Sequence, residues 1–245
     1  TETINFSMAK NPLRVVCWKW QSPGKYRSTF GASQVNILRN MVKRHLHMPH
    51  EFVCITDDPT DIDPDIRIIP LWKSPAPDYG TEKKPNCFVR LKAFDSDMRD
   101  IIGERFVWLD LDTLILQDIT PLFNNGNDFM IWGGTNRSHS YNGSMVMMNA
   151  GARKHVWKEF NPETSIKEIT QKGLIGSDQA WIAHCLGNDE KKWTKEDGVF
   201  SFRNDILGMK RDILPKARII FFHGEYDPWT YRVQNTYPWI KDHYK

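Results

Sequence analysis

No stretch of this 245-residue chain approaches the roughly 18 consecutive apolar residues that a membrane span requires. The opening residues, Thr1 to Pro12, also lack the apolar centre of a signal peptide. Both absences lead to the expectation of a cytoplasmic protein without a membrane span. Cysteine is scarce: Cys17, Cys54, Cys87 and Cys185 lie far apart and form no CxxC pair. That spacing argues against a zinc ribbon or a disulfide framework and for buried free thiols. Nor is there a basic block. The 33 Lys and Arg are interspersed with 30 Asp and Glu, for a net charge of +3. Nucleic-acid binders concentrate their bases, so this balance predicts no nucleic-acid partner and suits a small anionic ligand. Internal repeats, low-complexity tracts and linkers are missing too, and the chain reads as one domain over 1–245.

What is present is an alternation of strand and helix patterns. Leu13 to Trp20 is a β-rich apolar run. A helix is predicted over 29–47, with Val35, Leu38, Val42 and Leu46 on one stripe. Glu51 to Thr56 is a second strand, ending at Asp57 and Asp58, and Ile66 to Trp72 a third. Proline and glycine make 73–85 a loop. A helix capped by Asn86 is predicted to run to about Asp100, with Phe88, Leu91 and Phe94 inward. Phe106 to Leu109 is short and wholly apolar, as a central strand buried on both faces should be. Further strands are predicted at 129–132, 144–148 and 217–222, and helices near 150–160 and 177–186. The fold class is α/β, a mainly parallel, Rossmann-like sheet flanked by helices. In such sheets ligands bind beyond the carboxyl ends of the strands, which aligns Trp18, Asp57, Asp58, Asp110 and Asp112 along one rim.

Asp110-Leu111-Asp112 directly follows the central strand. In extended backbone, residues two apart face the same side, so both carboxylates would meet one ligand while Leu111 packs opposite. Two carboxylates so close repel unless a proton or cation lies between them, and hard oxygen ligands suit Mg²⁺ or Mn²⁺. Such a metal could bridge a diphosphate leaving group. The competing reading of a solvated or turn-capping acid pair would prevail for an arbitrary DxD. The apolar strand before it and Thr113 to Leu116 after it favour function. Asp-x-Asp-x-Thr-Leu also matches the first motif of haloacid-dehalogenase-type phosphatases, with Asp110 as nucleophile. Those enzymes usually place it on an early strand, whereas about 100 residues precede it here.

Several segments together resemble GT-A fold glycosyltransferases, in particular the glycogenin-like and lipopolysaccharide-galactosyltransferase-like group known as family 8. They are Phe106 to Leu116 (FVWLDLDTLIL), Asp118 to Phe123 (DITPLF), Tyr141 to Asn149 (YNGSMVMMN), Gly176 to Ala180 (GSDQA) and Phe222 to Trp229 (FHGEYDPW). The resemblance implies a nucleotide-sugar donor, with a UDP-sugar favoured, and transfer to a carbohydrate or glycan acceptor with retention. It implies Mn²⁺ (or Mg²⁺) on Asp110, Asp112 and His223, the imidazole tilting the choice to Mn²⁺. Trp18, Asp57 and Asp58 would lie near the base and ribose, and Lys19 would also contact the donor. Arg90, Leu111 and Gly224 would border the donor, and Asn142, Gly143 and Ser144 would line the sugar. Asp178 and Gln179 would sit beside the anomeric carbon, with N-capping as the competing role for Asp178. The nucleotide-binding half would be 13–112 and the acceptor and catalytic half 113–245.

One departure stands out. The lysine of the family's closing His-Gly-x-x-Lys-Pro-Trp element is Asp227 here, and a carboxylate repels a diphosphate. Lys19, Lys83, Lys84 and Arg232 are candidate replacements, and a catalytically decayed nucleotide-sugar-binding module is an alternative function. The aromatic tail from Tyr226 to Tyr244 reads chiefly as packing onto the sheet, with an acceptor platform as the other role.

Overall fold

The computed structural model describes residues 11–21, 30–76, 87–134, 136–208 and 212–245. Lys83, Lys84, the Asn86 cap and most of the 73–85 loop lie outside the described residues. The first part alternates as expected: β1 (Leu13–Lys19), α1 (Ala32–His45), β2 (His50–Thr56) and β3 (Arg67–Pro70). Gln34 accepts a hydrogen bond from the Gly31 amide at 2.7 Å and so closes the start of α1, whose Val35, Leu38, Met41 and Val42 are buried. Next come α2 (Met98–Ile101), β4 (Arg105–Leu109), β5 (Thr113–Ile115), α3 (Thr120–Phe123), β6 (Phe129–Trp132) and β7 (Asn142–Asn149). The remainder holds α4 (His155–Lys158), α5 (Ser165–Gln171), α6 (Asp178–Leu186), β8 (Lys192–Trp193), β9 (Val199–Ser201), β10 (Ile219–Phe221), α7 (Tyr231–Thr236) and α8 (Ile240–His243).

Seven strands form the main sheet in the order β3-β2-β1-β4-β7-β6-β8, with β4 in the middle. β1, β2, β3 and β4 run parallel, while β7 is antiparallel to both β4 and β6. Strand alternation splits the core in two. Val15, Cys17, Val107 and Leu109 join the layer that holds α1. Val16, Trp18, Phe106 and Trp108 join the opposite layer, with Phe88, Leu91, Phe94 and Trp181. Burial on both faces explains why β4 is apolar from Phe106 to Leu109. No helix among the described residues is long and apolar enough to cross a membrane.

Three expectations change. The helix predicted from Asn86 to Asp100 is a 3-10 run, Cys87–Phe94, followed by the separate α2. Between them the Asp95 side chain accepts from the Asp97 amide at 3.2 Å, a local turn that competes with helix. The strand over 217–222 is not in the main sheet; β10 joins β5 and β9 in a second, three-stranded sheet. Finally, Asp110-Leu111-Asp112 is not extended. It forms a turn from β4 into β5, closed by the Thr113 hydroxyl on the Asp110 carbonyl. Strand alternation therefore does not align the two carboxylates.

Candidate functional site

The carboxyl ends of β1, β2 and β4 share one rim, and the 3-10 run delivers Arg90 to it. Arg90 is only 6% exposed. Its Nε donates to Asp178 Oδ2 at 2.8 Å, and a terminal nitrogen lies 2.5 Å from Asp110 Oδ1. The guanidinium also lies over Trp108, 5.4 Å from the ring centroid. Burial alone would pull Arg90 down, but Asp178 and Asp110 outweigh it and hold its charge on. One cation serves two acids. Burial raises the Asp110 carboxyl above its ordinary range; Arg90 and a Ser144 hydrogen bond oppose that rise, and Asp178 adds to it.

Strand β7 and helix α6 complete this cluster. Gly143 donates its amide to Gln179 Oε1 at 3.2 Å and accepts the Trp108 indole proton at 2.6 Å. A side chain at Gly143 would put Cβ 2.9 Å from an Arg90 nitrogen, so the glycine makes room for the guanidinium. Gly176 takes φ +117° and faces Gln179 in the same way. Asn142 folds back onto the Ser144 amide at 2.8 Å. Asp178, at 2% exposure, points at Arg90, so the capping role is not the one its carboxylate plays.

A second group stands across the turn. The Phe222 amide donates to the Asp112 carbonyl at 2.9 Å, which continues the β5–β10 pairing and brings His223 to the Asp112 side. His223 Nε2 lies 2.5 Å from the Ser201 hydroxyl. Leu111 is buried in the core, so only its backbone is available to a ligand. Tyr244 is 6% exposed, and burial together with the Asp112 and Asp227 charges raises its phenol. No motif flags Ser201 or Arg203 before β9 and β10 are paired; Tyr244 belongs to the aromatic tail read from the sequence, though not as a neighbour of Asp112.

At the outer end, Trp18 packs edge-on between Trp72 and Trp108, at 5.5 and 5.7 Å, and its buried indole nitrogen has no acceptor among the described residues. That unsatisfied donor suits a ligand carbonyl or hydroxyl. Lys19 is spent on the Asp58 carbonyl at 2.7 Å, and Asp57 accepts from the Gln21 amide at 3.2 Å. A separate cleft of about 660 Å³, lined by Gln117, Lys195, Phe200, Lys216 and Arg218 among others, opens at the opposite ends of β9 and β10. None of the predicted site residues lines it.

The expected metal triad is not assembled. Among the described residues no three His, Cys, Asp or Glu side chains converge as metal ligands. Asp110 is turned to Arg90 and His223 to Ser201. The chemistry of the donor set still fits a divalent cation, two carboxylates and an imidazole on adjoining segments of one rim.

No protein-family model and no curated protein matches the chain. Solved structures do match. The galactosyltransferase LgtC, in complex with donor and acceptor sugar analogs, aligns over 95% of this chain and 97% of its own, with TM-score 0.58 and 12% identity. The glycosyltransferase GlyE of Streptococcus pneumoniae aligns over 93% of this chain, with TM-score 0.58 and 13% identity. The bifunctional glycosyltransferase WbbM aligns over 91%, with TM-score 0.52 and 12% identity. The chain spans 60% of the GlyE chain and 48% of the WbbM chain. At such identities the likeness shows the fold, which is that of the GT-A glycosyltransferases.

Proposed function

We propose that the protein is a hexosyltransferase that moves a sugar from a nucleoside-diphosphate-sugar, with a uridine donor favoured, to a carbohydrate or glycan acceptor. The observation that carries this reading is the joining of Arg90, Asp110, Asp178, Gln179 and Gly143 in one buried cluster at the carboxyl rim of a GT-A sheet. Trp18, Asp57 and Asp58 lie at the neighbouring strand ends, where base and ribose would rest. Asn142, Gly143 and Ser144 present the start of β7 to the sugar.

In the reaction, the bond from the anomeric carbon to the outer phosphate oxygen breaks, and its electron pair stays on that oxygen. The acceptor hydroxyl oxygen forms the new bond, and its proton passes to the departing diphosphate. Asp178, fixed by Arg90, would stabilise positive charge as it grows on the sugar ring, and the retaining course is the one the family resemblance implies. Gln179, tied to β7 through Gly143, fixes the start of α6 beside it. Asp110, Asp112 and His223 would hold Mn²⁺ or Mg²⁺, which when bound neutralises charge on the diphosphate. Nothing in the geometry favours the phosphatase alternative, whose nucleophile Asp110 is engaged by Arg90.

Thermal-shift titration with UDP, GDP, ADP and their sugars, each with and without Mn²⁺, tests the reading. Stabilisation by one nucleotide family, enhanced by Mn²⁺, is expected. An unmoved melting temperature with every nucleotide, with or without metal, would sink it.

A further inference from the structure

We infer that Arg203 is the residue that binds the diphosphate of the donor, in the place left open by an acid at position 227. The inference rests on the nucleotide-sugar reading above, with the place of the diphosphate taken from the resemblance and the position of Arg203 from the contacts of the fold. β9 and β10 run parallel, with Ser201 opposite Phe221, so the residues that follow both strands emerge on the same rim. After Ser201 the chain enters a π-helical turn, Phe202–Ile206. That turn is fastened to the His223 segment at three points. The Ser201 hydroxyl meets His223 Nε2 at 2.5 Å. Phe202 stacks on Phe222 at 4.3 Å and 18°, and it meets Tyr226 at 5.6 Å. Asp205, which could have claimed a nearby cation, is taken by Lys195 at 2.7 Å and by the Ser201 amide.

Arg203 therefore projects from a fixed backbone, beside the two residues that the resemblance puts against metal and diphosphate. Its side chain lies against Gly224, where a Cβ would be 3.2 Å from one of its terminal nitrogens. Gly224 has φ +87°, so the close approach depends on glycine twice, for conformation and for space. Arg203 is exposed and makes no hydrogen bond or ion pair among the described residues. The other cations considered are less suited. Lys19 is bound to the Asp58 carbonyl, and Lys83 and Lys84 lie outside the described residues. Arg232 sits on α7 beyond the His223 turn. An unpaired, planar guanidinium held at that rim matches a doubly charged phosphate oxygen pair better than a sugar or a base.

Calorimetric binding of UDP and of UMP to the wild type, Arg203→Gln and Arg203→Lys tests this. Because Arg203 is exposed and has no partner among the described residues, both variants should melt like the wild type. Arg203→Gln should weaken UDP by about ten- to a hundredfold, as loss of a charge-assisted bidentate contact does. UMP, which lacks the outer phosphate, should change less than about threefold, and Arg203→Lys should recover part of the UDP affinity. Unchanged UDP binding in Arg203→Gln, or equal loss of UDP and UMP, overturns the role of Arg203 and leaves the donor reading standing. A wild type that binds neither UDP nor any other nucleoside diphosphate overturns both.

Discussion

Arg90 holds Asp178 through two nitrogens on a single oxygen: Nε at 2.8 Å and a terminal nitrogen at 2.7 Å both reach Oδ2. The two residues are 88 positions apart, on a 3-10 run and at the start of α6. The contact therefore fixes one face of the site to the other. The same guanidinium reaches Asp110, so three elements converge on one charge.

Removing that charge leaves Asp178, whose side chain is 3% exposed, with no compensation. Arg90→Met is expected to destabilise the protein by about 3–5 kcal/mol, the usual cost of breaking a buried pair from one side. Urea denaturation measures it. Combining Arg90→Met with Asp178→Asn should recover much of the loss, because the uncompensated charge goes too. If the double variant is as unstable as the sum of the singles, the damage comes from packing rather than from charge.

Gly143→Ala tests the space that the cluster requires. The new methyl would lie 2.9 Å from an Arg90 nitrogen and 3.5 Å from Asp178 Oδ2. Overpacking of this kind costs about 1–3 kcal/mol. Gly126→Ala is the control, since nothing lies within 4 Å of its added methyl, and it should stay within about 0.5 kcal/mol of the wild type. Equal midpoints for the two variants would show that the guanidinium yields freely.

How much of this was legible in the sequence follows from the range of each signal. The unbroken apolar runs Val15 to Trp18 and Phe106 to Leu109 mark the central strands, because burial on both faces leaves no room for polar residues. The stripe on α1 was equally plain. The break at Asp95 was not, since a helical pattern of Phe88, Leu91 and Phe94 says nothing about whether the turns are of 3-10 or α type. The strands β5, β8 and β9 are three residues or fewer, too short for any periodicity to register. Site residues carried by contiguous motifs, Asp110, Asn142 to Ser144 and Asp178-Gln179, were named from the sequence. That Arg90 would hold both Asp110 and Asp178 was not, because the pairing is a product of tertiary approach. Arg203 and Ser201 escaped for the same reason.

Asp112 separates metal binding from general nucleotide affinity. It is 8% exposed and joined through its carbonyl to the Phe222 amide, so Asp112→Asn keeps the backbone contact while it removes the charge and turns one acceptor oxygen into a donor. Under the donor reading, this variant should lose the Mn²⁺-dependent part of UDP stabilisation. The loss should be at least the roughly 10–100-fold in metal affinity that removal of an outer-shell partner already costs. UDP stabilisation by Mn²⁺ that matches the wild type would remove Asp112 from the metal site.

His139 ties the loop before β7 to the loop before α6, and the tie depends on a neutral ring. Its Nε2 lies 2.9 Å from the Ile175 carbonyl, and its Nδ1 accepts from the Tyr141 amide at 3.3 Å. Asn136 also donates to the Ile175 carbonyl at 2.9 Å, and the Ile175 amide donates to Ser138 at 2.8 Å. Burial lowers the His139 pKa from its ordinary value, against hydrogen bonds to Ile175 and Tyr141 and the charge of Asp178, which raise it. A protonated ring would have to donate from both nitrogens and would lose the Tyr141 contact. Because the folded value lies below the unfolded one, the unfolded chain takes the proton first as pH falls. The stability contributed by the neutral ring is complete above the unfolded value of about 6.5 and declines as pH drops through the folded one. His139→Gln should therefore flatten this part of the stability profile between about pH 7.5 and 5, with its largest deficit relative to wild type at the upper end. Protection of the Ile175 and Tyr141 amides against hydrogen exchange, taken relative to the intrinsic rate at each pH, should fall on acidification in the wild type in the same window. A wild-type profile parallel to that of His139→Gln would mean that the clasp holds in either charge state, and that Asn136 and Ser138 carry it alone.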